Sequence, residues 1–150
     1  MSSDLQKRQS MTSNSQPPVI FFDGVCGLCN SFVDWTISLG KPVEHFLFSP
    51  LQGSTALKTL DRSSIEDLSS VVVLLNGQFY RKSSAVLVIF KNCVGAEYLP
   101  LRLISSLLFI VPVGVRDWLY DQVAKRRYEL FGKKDSCRIP TPEERKRFLP

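Results

Sequence analysis

Residues 19–30 read Val-Ile-Phe-Phe-Asp-Gly-Val-Cys-Gly-Leu-Cys-Asn. Two cysteines, Cys26 and Cys29, stand three positions apart just beyond an apolar run that stops at Asp23 and Gly24. Three readings are open: a redox pair, half of a metal site, or two core residues. In a first helical turn, positions i and i+3 share a face, close enough for two sulfurs to close a small disulfide ring. At a helix N-terminus the first thiol also meets unpaired N–H groups and the positive end of the helix dipole, and both favour a thiolate. The spacing therefore predicts Cys26 as the exposed nucleophile and Cys29, a turn deeper, as the resolving thiol. The Cys26 thiolate would attack a substrate disulfide, and Cys29 would then release the mixed disulfide. Gly27 is expected to let the backbone turn tightly between them.

Asp23 has two compatible roles. It can form an Asx turn or N-cap for the helix that follows, or exchange a proton with Cys29 during resolution, which requires partial burial. Cys137 lies among Lys133, Lys134 and Arg138, neighbours that favour a thiolate, and is a candidate third redox cysteine. Cys93, closing an apolar stretch, is expected to be buried and inert. A zinc site is the first rival reading. It needs a second close pair of ligands, whereas Cys93 and Cys137 lie far apart in sequence and His45 stands alone. Metal delivery by the exposed pair is a related alternative. A non-enzymatic adaptor is the second rival, although a binding module has no need of two exposed thiols. No bound cofactor or resident metal is expected.

The elements that must position these residues fit in one domain, since 150 residues can bury a core without staples. Four cysteines are too few for a disulfide scaffold, and in a reducing, cytoplasmic setting, the default here, a close pair is catalytic or metal-binding more often than structural. Residues 1–18 are polar and lack a secretory leader's pattern; they are expected to form a disordered arm, with a short transit peptide, and hence an organelle, as the alternative. The net charge of +5 is local. Residues 1–124 hold ten basic and ten acidic side chains, residues 125–150 nine and four. Residues 141–150 are expected as a basic tail, solvated or touching anionic groups. Nothing suggests a nucleic-acid stacking platform.

Residues 19–22 form a β-branched and aromatic run with the length of a buried strand. Phe32, Val33, Thr36 and Ile37 recur at helical spacing until Gly40 and Pro42. Residues 43–48 read as a second strand broken by Ser49 and Pro50, and residues 54–60 as a short helix. Residues 71–75 are the clearest strand; Asn76-Gly77 is a hairpin turn, and residues 78–81 are the antiparallel partner. Ser83 is expected to cap a helix running to about Asn92. A strand-helix-strand crossover yields a parallel pair and the hairpin an antiparallel one. The result is a mixed four-stranded sheet flanked by helices, the thioredoxin-like arrangement, with the cysteines on the turn after the first strand. Residues 99–115 are expected as a buried helix, with an interfacial membrane helix as the alternative; the uninterrupted part is too short to span a bilayer. Trp118, Leu119, Val123 and Leu130 mark the apolar face of a following helix stopped by Gly132. This added C-terminal helical pair is expected to pack on the sheet.

Asp23, Cys26 and Cys29 form an Asp-x-x-Cys-x-x-Cys motif directly after a strand ending Phe-Phe. In this the chain resembles the DCC family of thiol-disulfide oxidoreductases. Lys82-Ser83-Ser84-Ala85 is similar to the family's basic-Ser-x-Ala helix start. Arg116, Asp117 and Tyr120 through Arg127-Tyr128 to Phe131-Gly132 resemble its C-terminal helix, and Cys137-Arg138-Ile139-Pro140 its Cys-x-x-Pro close. The resemblance spans residues 19–140, which are expected to be the domain. It implies a thioredoxin-like fold, disulfide exchange by Cys26 and Cys29 with Asp23 beside them, and no cofactor. The expected partners are a disulfide-bearing protein or small-molecule thiol and a cellular dithiol reductant, without nucleic acid and without stable membrane insertion. The chain departs from the wider thioredoxin pattern in three ways. Ser69 and Ser70 stand where a cis-proline precedes the third strand, Gly27-Leu28 separates the cysteines, and no tryptophan precedes Cys26.

Overall fold

The computed structural model describes residues 16–39, 45–66, 70–92, 96–136 and 139–150. Strand β1 (Val19–Phe22) is followed by helix α1 (Gly27–Ser38), strand β2 (Leu47–Pro50) and short helices α2 (Ser54–Thr59) and α3 (Arg62–Glu66). Strands β3 (Val72–Leu75) and β4 (Gln78–Arg81) form the hairpin, and helices α4 (Lys82–Lys91), α5 (Leu99–Leu108) and α6 (Val113–Phe131) complete the domain. The sheet order is β2-β1-β3-β4. β1 pairs parallel with β2 and antiparallel with β3, and β3 pairs antiparallel with β4. This is a mixed α/β, thioredoxin-like fold.

β1 lies inside the sheet with both faces covered, which is why all four of its residues are apolar. Alternation sends Ile20 and Phe22 into one core with Val33, Phe48, Val73, Val88 and Ile89, beneath α1 and α4. Val19 and Phe21 enter a second core with Leu51, Ala56, Leu60 and Val72. The Asn76-Gly77 turn has φ of 51° and 76°, which suits asparagine and glycine and joins β3 to β4 in two residues.

Several expectations require correction. Strand β2 runs through Ser49 and Pro50, the expected breakers, instead of ending before them. β1 is the only one of the four strands paired with it, so an edge proline there is tolerated. His45 precedes this strand in a turn; residues 40–44 lie outside the described residues. Helix α3 was not foreseen. Ser83 is no cap: Arg81 occupies that position, and the Ser83 hydroxyl donates to Asp117 on α6. Residues 99–115 are not one buried helix but α5, a break and the start of α6, and most of their apolar side chains face outward.

Helix α6 reverses the expected orientation. Trp118, Leu119, Val123 and Leu130 are exposed, while Tyr120 and Arg127 turn inward with Asp117 and Asp121. The inward face is held by polar contacts: Lys82 Nζ lies 2.9 Å from Asp121, and Val71 N–H donates to the Tyr120 hydroxyl at 2.9 Å. The segment foreseen as a basic tail lies along β2 rather than extending as an arm. Leu149 N–H donates to the Phe48 carbonyl at 2.8 Å, and the Phe148 ring stacks on Phe48 with centroids 5.5 Å apart.

Candidate active site

The loop between β1 and α1 brings the motif residues together. Cys26 is the N-cap of α1, and its Sγ accepts from the Cys29 N–H at 3.4 Å. Cys26 thus stands at the N-terminus of a twelve-residue helix, the positive end of its dipole. Burial pushes the Cys29 thiol up to about 12, assisted by its hydrogen bond to Cys26 and the charge of Cys26.

Exposure runs opposite to the expectation. Cys26 is fully buried and Cys29 half-buried. The cause is tertiary: the chain leaving α6 crosses over Cys26. Gly27 N–H donates to the Gly132 carbonyl at 3.1 Å, Lys134 N–H donates to the Val25 carbonyl at 2.7 Å, and Cys26 and Lys133 form an isolated β-bridge. Gly27 is required for this crossing and not for a tight turn, since a Cβ there would lie 2.1 Å from the Phe131 carbonyl oxygen. Gly132 makes the crossing possible with φ of 78°.

Asp23 is buried, with both carboxylate oxygens engaged. Oδ1 accepts from Val25 N–H at 3.1 Å, an Asx-type turn, and from Gln52 Nε2 at 2.8 Å. Oδ2 faces the Arg127 guanidinium at 3.2 Å and accepts from the Tyr128 hydroxyl. Gln52 Oε1 in turn accepts from Gly24 N–H at 3.1 Å. Asn30, fully buried on α1, donates its amide to the carbonyls of Gly24 and Cys26 at 2.8 and 2.7 Å. The loop holding Cys26 is thus pinned from α1, from the residues after β2 and from α6.

Gln52, Asn30, Arg127 and Tyr128 were not singled out for a site role. Asn30 did leave a signal, as an amide among the inward positions of α1. Gln52 left none, because its partner is 29 residues away. Arg127 meets Asp23 across 104 residues, a contact that no local pattern records.

Beside Cys29 lies an apolar cavity of about 250 Å³ walled by Phe22, Leu28, Phe32, Val86, Phe90 and Tyr120. Burial raises the Tyr120 phenol to about 12, above its ordinary 10.0. Ser70, from the pair standing in the cis-proline position, is buried; Ser69 lies outside the described residues. So do Cys137 and Cys93. Among the described residues no three His, Cys, Asp or Glu side chains converge to ligate one ion.

A four-stranded mixed sheet with two cysteines in the first turn of its first helix defines the class, a thioredoxin-like domain with a Cys-x-x-Cys site. The chain belongs to the DCC1-like thiol-disulfide oxidoreductase family, whose model matches residues 20–133. It is 41% identical over 143 residues to the uncharacterized protein YuxK of Bacillus subtilis (strain 168), covering 93% of this chain and all of that protein. It is 36% identical over 137 residues to the DCC family protein At1g52590, chloroplastic, of Arabidopsis thaliana, covering 90% of this chain and 77% of that protein. No solved structure matches the chain significantly.

Proposed function

We propose that the protein exchanges disulfides through Cys26 and Cys29. The observation that carries this reading is the placing of both cysteines at the start of α1, where the Cys29 N–H donates to the Cys26 sulfur at 3.4 Å. Burial keeps the proton on Cys29, and Cys26 is the attacking sulfur. The Cys26 thiolate attacks one sulfur of a substrate disulfide; the substrate S–S bond breaks, and the departing thiolate takes up a proton. Cys29 then gives up its proton and attacks the Cys26 sulfur, closing the Cys26–Cys29 bond and releasing the second thiol. One disulfide becomes two thiols, the pair loses two electrons, and a cellular dithiol restores it. The substrate is a protein disulfide or a small-molecule disulfide, with the apolar cavity beside Cys29 as its seat. Access to Cys26 comes with displacement of residues 131–134. Asp23, saturated by four donors, acts as a positioning residue for the loop.

The test is thiol labelling across a glutathione series, in wild type and in Cys29→Ser. A reversible two-electron transition between roughly −120 and −270 mV is expected, with Cys29→Ser retaining substrate as a mixed disulfide on Cys26. A pair that stays reduced at every poise would overturn the reading.

A further inference from the structure

We propose that the outer face of α5 and α6 seats on an anionic membrane surface. Leu103, Leu107, Ile110, Trp118, Leu119 and Val123 are all exposed along α5, the break and α6, Ile110 77% and Trp118 60%. Soluble monomers rarely expose a contiguous apolar patch beyond a few hundred Å² without a partner for it. The packing of α6 supplies the cause, since its polar side is spent inward. Asp117 binds Ser83, Asp121 pairs with Lys82, and Arg127 pairs with Asp23. Turning the apolar side inward instead would break all three links.

The charge around the face selects the occupant. Thirteen residues from 103 to 115 carry no charge, and an arginine stands at either end, Arg102 and Arg116. Arg102, Lys125, Arg126, Lys133 and Lys134 are exposed along residues 96–136, against the exposed acids Glu97, Glu129 and Asp135. Two copies meeting on this face would bring basic rims together, an unfavourable juxtaposition. An anionic headgroup layer meets the same rim with opposite charge, while the lysine and arginine stems lie along the apolar surface and their heads stay in water. Among the described residues no single helix is long and apolar enough to cross a bilayer. The α5–α6 pair passes that length and composition test only jointly, across a 112° bend. The geometry is that of a bent helix pair lying in the interface rather than spanning it.

The test uses the full chain and vesicles of phosphatidylcholine with or without phosphatidylglycerol, read by co-sedimentation. Wild type should bind the phosphatidylglycerol vesicles at least tenfold more tightly than phosphatidylcholine alone, and salt should weaken the binding. Leu107→Glu with Ile110→Glu should abolish it while leaving Cys29 labelling and far-UV circular dichroism unchanged. Should that variant misfold, Arg102→Gln with Lys125→Gln and Arg126→Gln decides, with an expected loss of at least fivefold. No sedimentation of wild type, undiminished binding by the variants, or self-association without vesicle binding would each overturn the proposal.

Discussion

Burial, the hydrogen bond to Cys26 and the charge of Cys26 hold the Cys29 thiol protonated to about pH 12, against an ordinary value of 9.0. Unfolded, Cys29 releases its proton at the ordinary value, so between the two values the folded chain binds the extra proton. The stability linked to this group is therefore fully present below about pH 9 and is lost as pH rises toward about 12. Tyr120, raised from 10.0 to about 12 chiefly by burial, acts in the same direction. Urea midpoints measured from pH 8 to 11 should fall above pH 9, and less steeply in Cys29→Ser; identical slopes would contradict the assignment. The Asp23–Arg127 pair is read differently. Both members are buried, so the pair contributes little net stability as a pair, yet deleting one member strands the other at a cost of roughly 3–5 kcal/mol. Its benefit lies in fixing the loop that carries Cys26.

At the scale of elements, the chain after α6 acts as a flap over the start of α1. Its hydrogen bonds to Gly27 and Val25 bury Cys26, and only a glycine at position 27 lets the Phe131 carbonyl come so close. Gly27→Ala should push the flap away, cost about 1–3 kcal/mol, and speed alkylation of Cys26 severalfold, as followed by mass mapping of the labelled peptides. An unchanged Cys26 rate would show that the flap does not limit access. The Lys82-Ser83 start of α4 has an equally local meaning. Lys82, at φ of 51°, turns the chain directly from β4 into α4, and the two side chains latch onto Asp121 and Asp117 of α6. A motif that reads as a helix cap is the docking point for another helix.

Across the whole molecule, the C-terminal segment closes the β2 edge that would otherwise be open to another chain. Phe148 lies edge-on to Phe22 and stacks on Phe48, and Pro150 O accepts from Thr55 N–H at 2.7 Å. Phe148→Ala should cost about 2 kcal/mol, less than a fully buried phenylalanine, and should expose residues 139–150 to limited proteolysis while the sheet stays intact. Equal protease resistance in wild type and variant would remove this role.

What the amino-acid order determined by itself is local or periodic. The run 19–22, the Asn-Gly turn and the crossover between parallel strands imply the mixed sheet, because strand alternation and turn chemistry are settled within a few residues. The Asp-x-x-Cys-x-x-Cys spacing likewise placed Cys26 at a helix start. Three matters were decided only by the tertiary structure: which sulfur is covered, what holds Asp23, and which way α6 faces. Cys26 is buried by residues more than a hundred positions away, and Asp23 is held by Gln52, Arg127 and Tyr128 across comparable or lesser gaps. Trp118, Leu119, Val123 and Leu130 suggest an apolar stripe on α6, yet the helix is only weakly amphipathic, with Val113, Tyr120 and Phe131 on other sides. Three specific polar links to the β1–α1 loop and α4 set its orientation, and no periodicity in the sequence records such links.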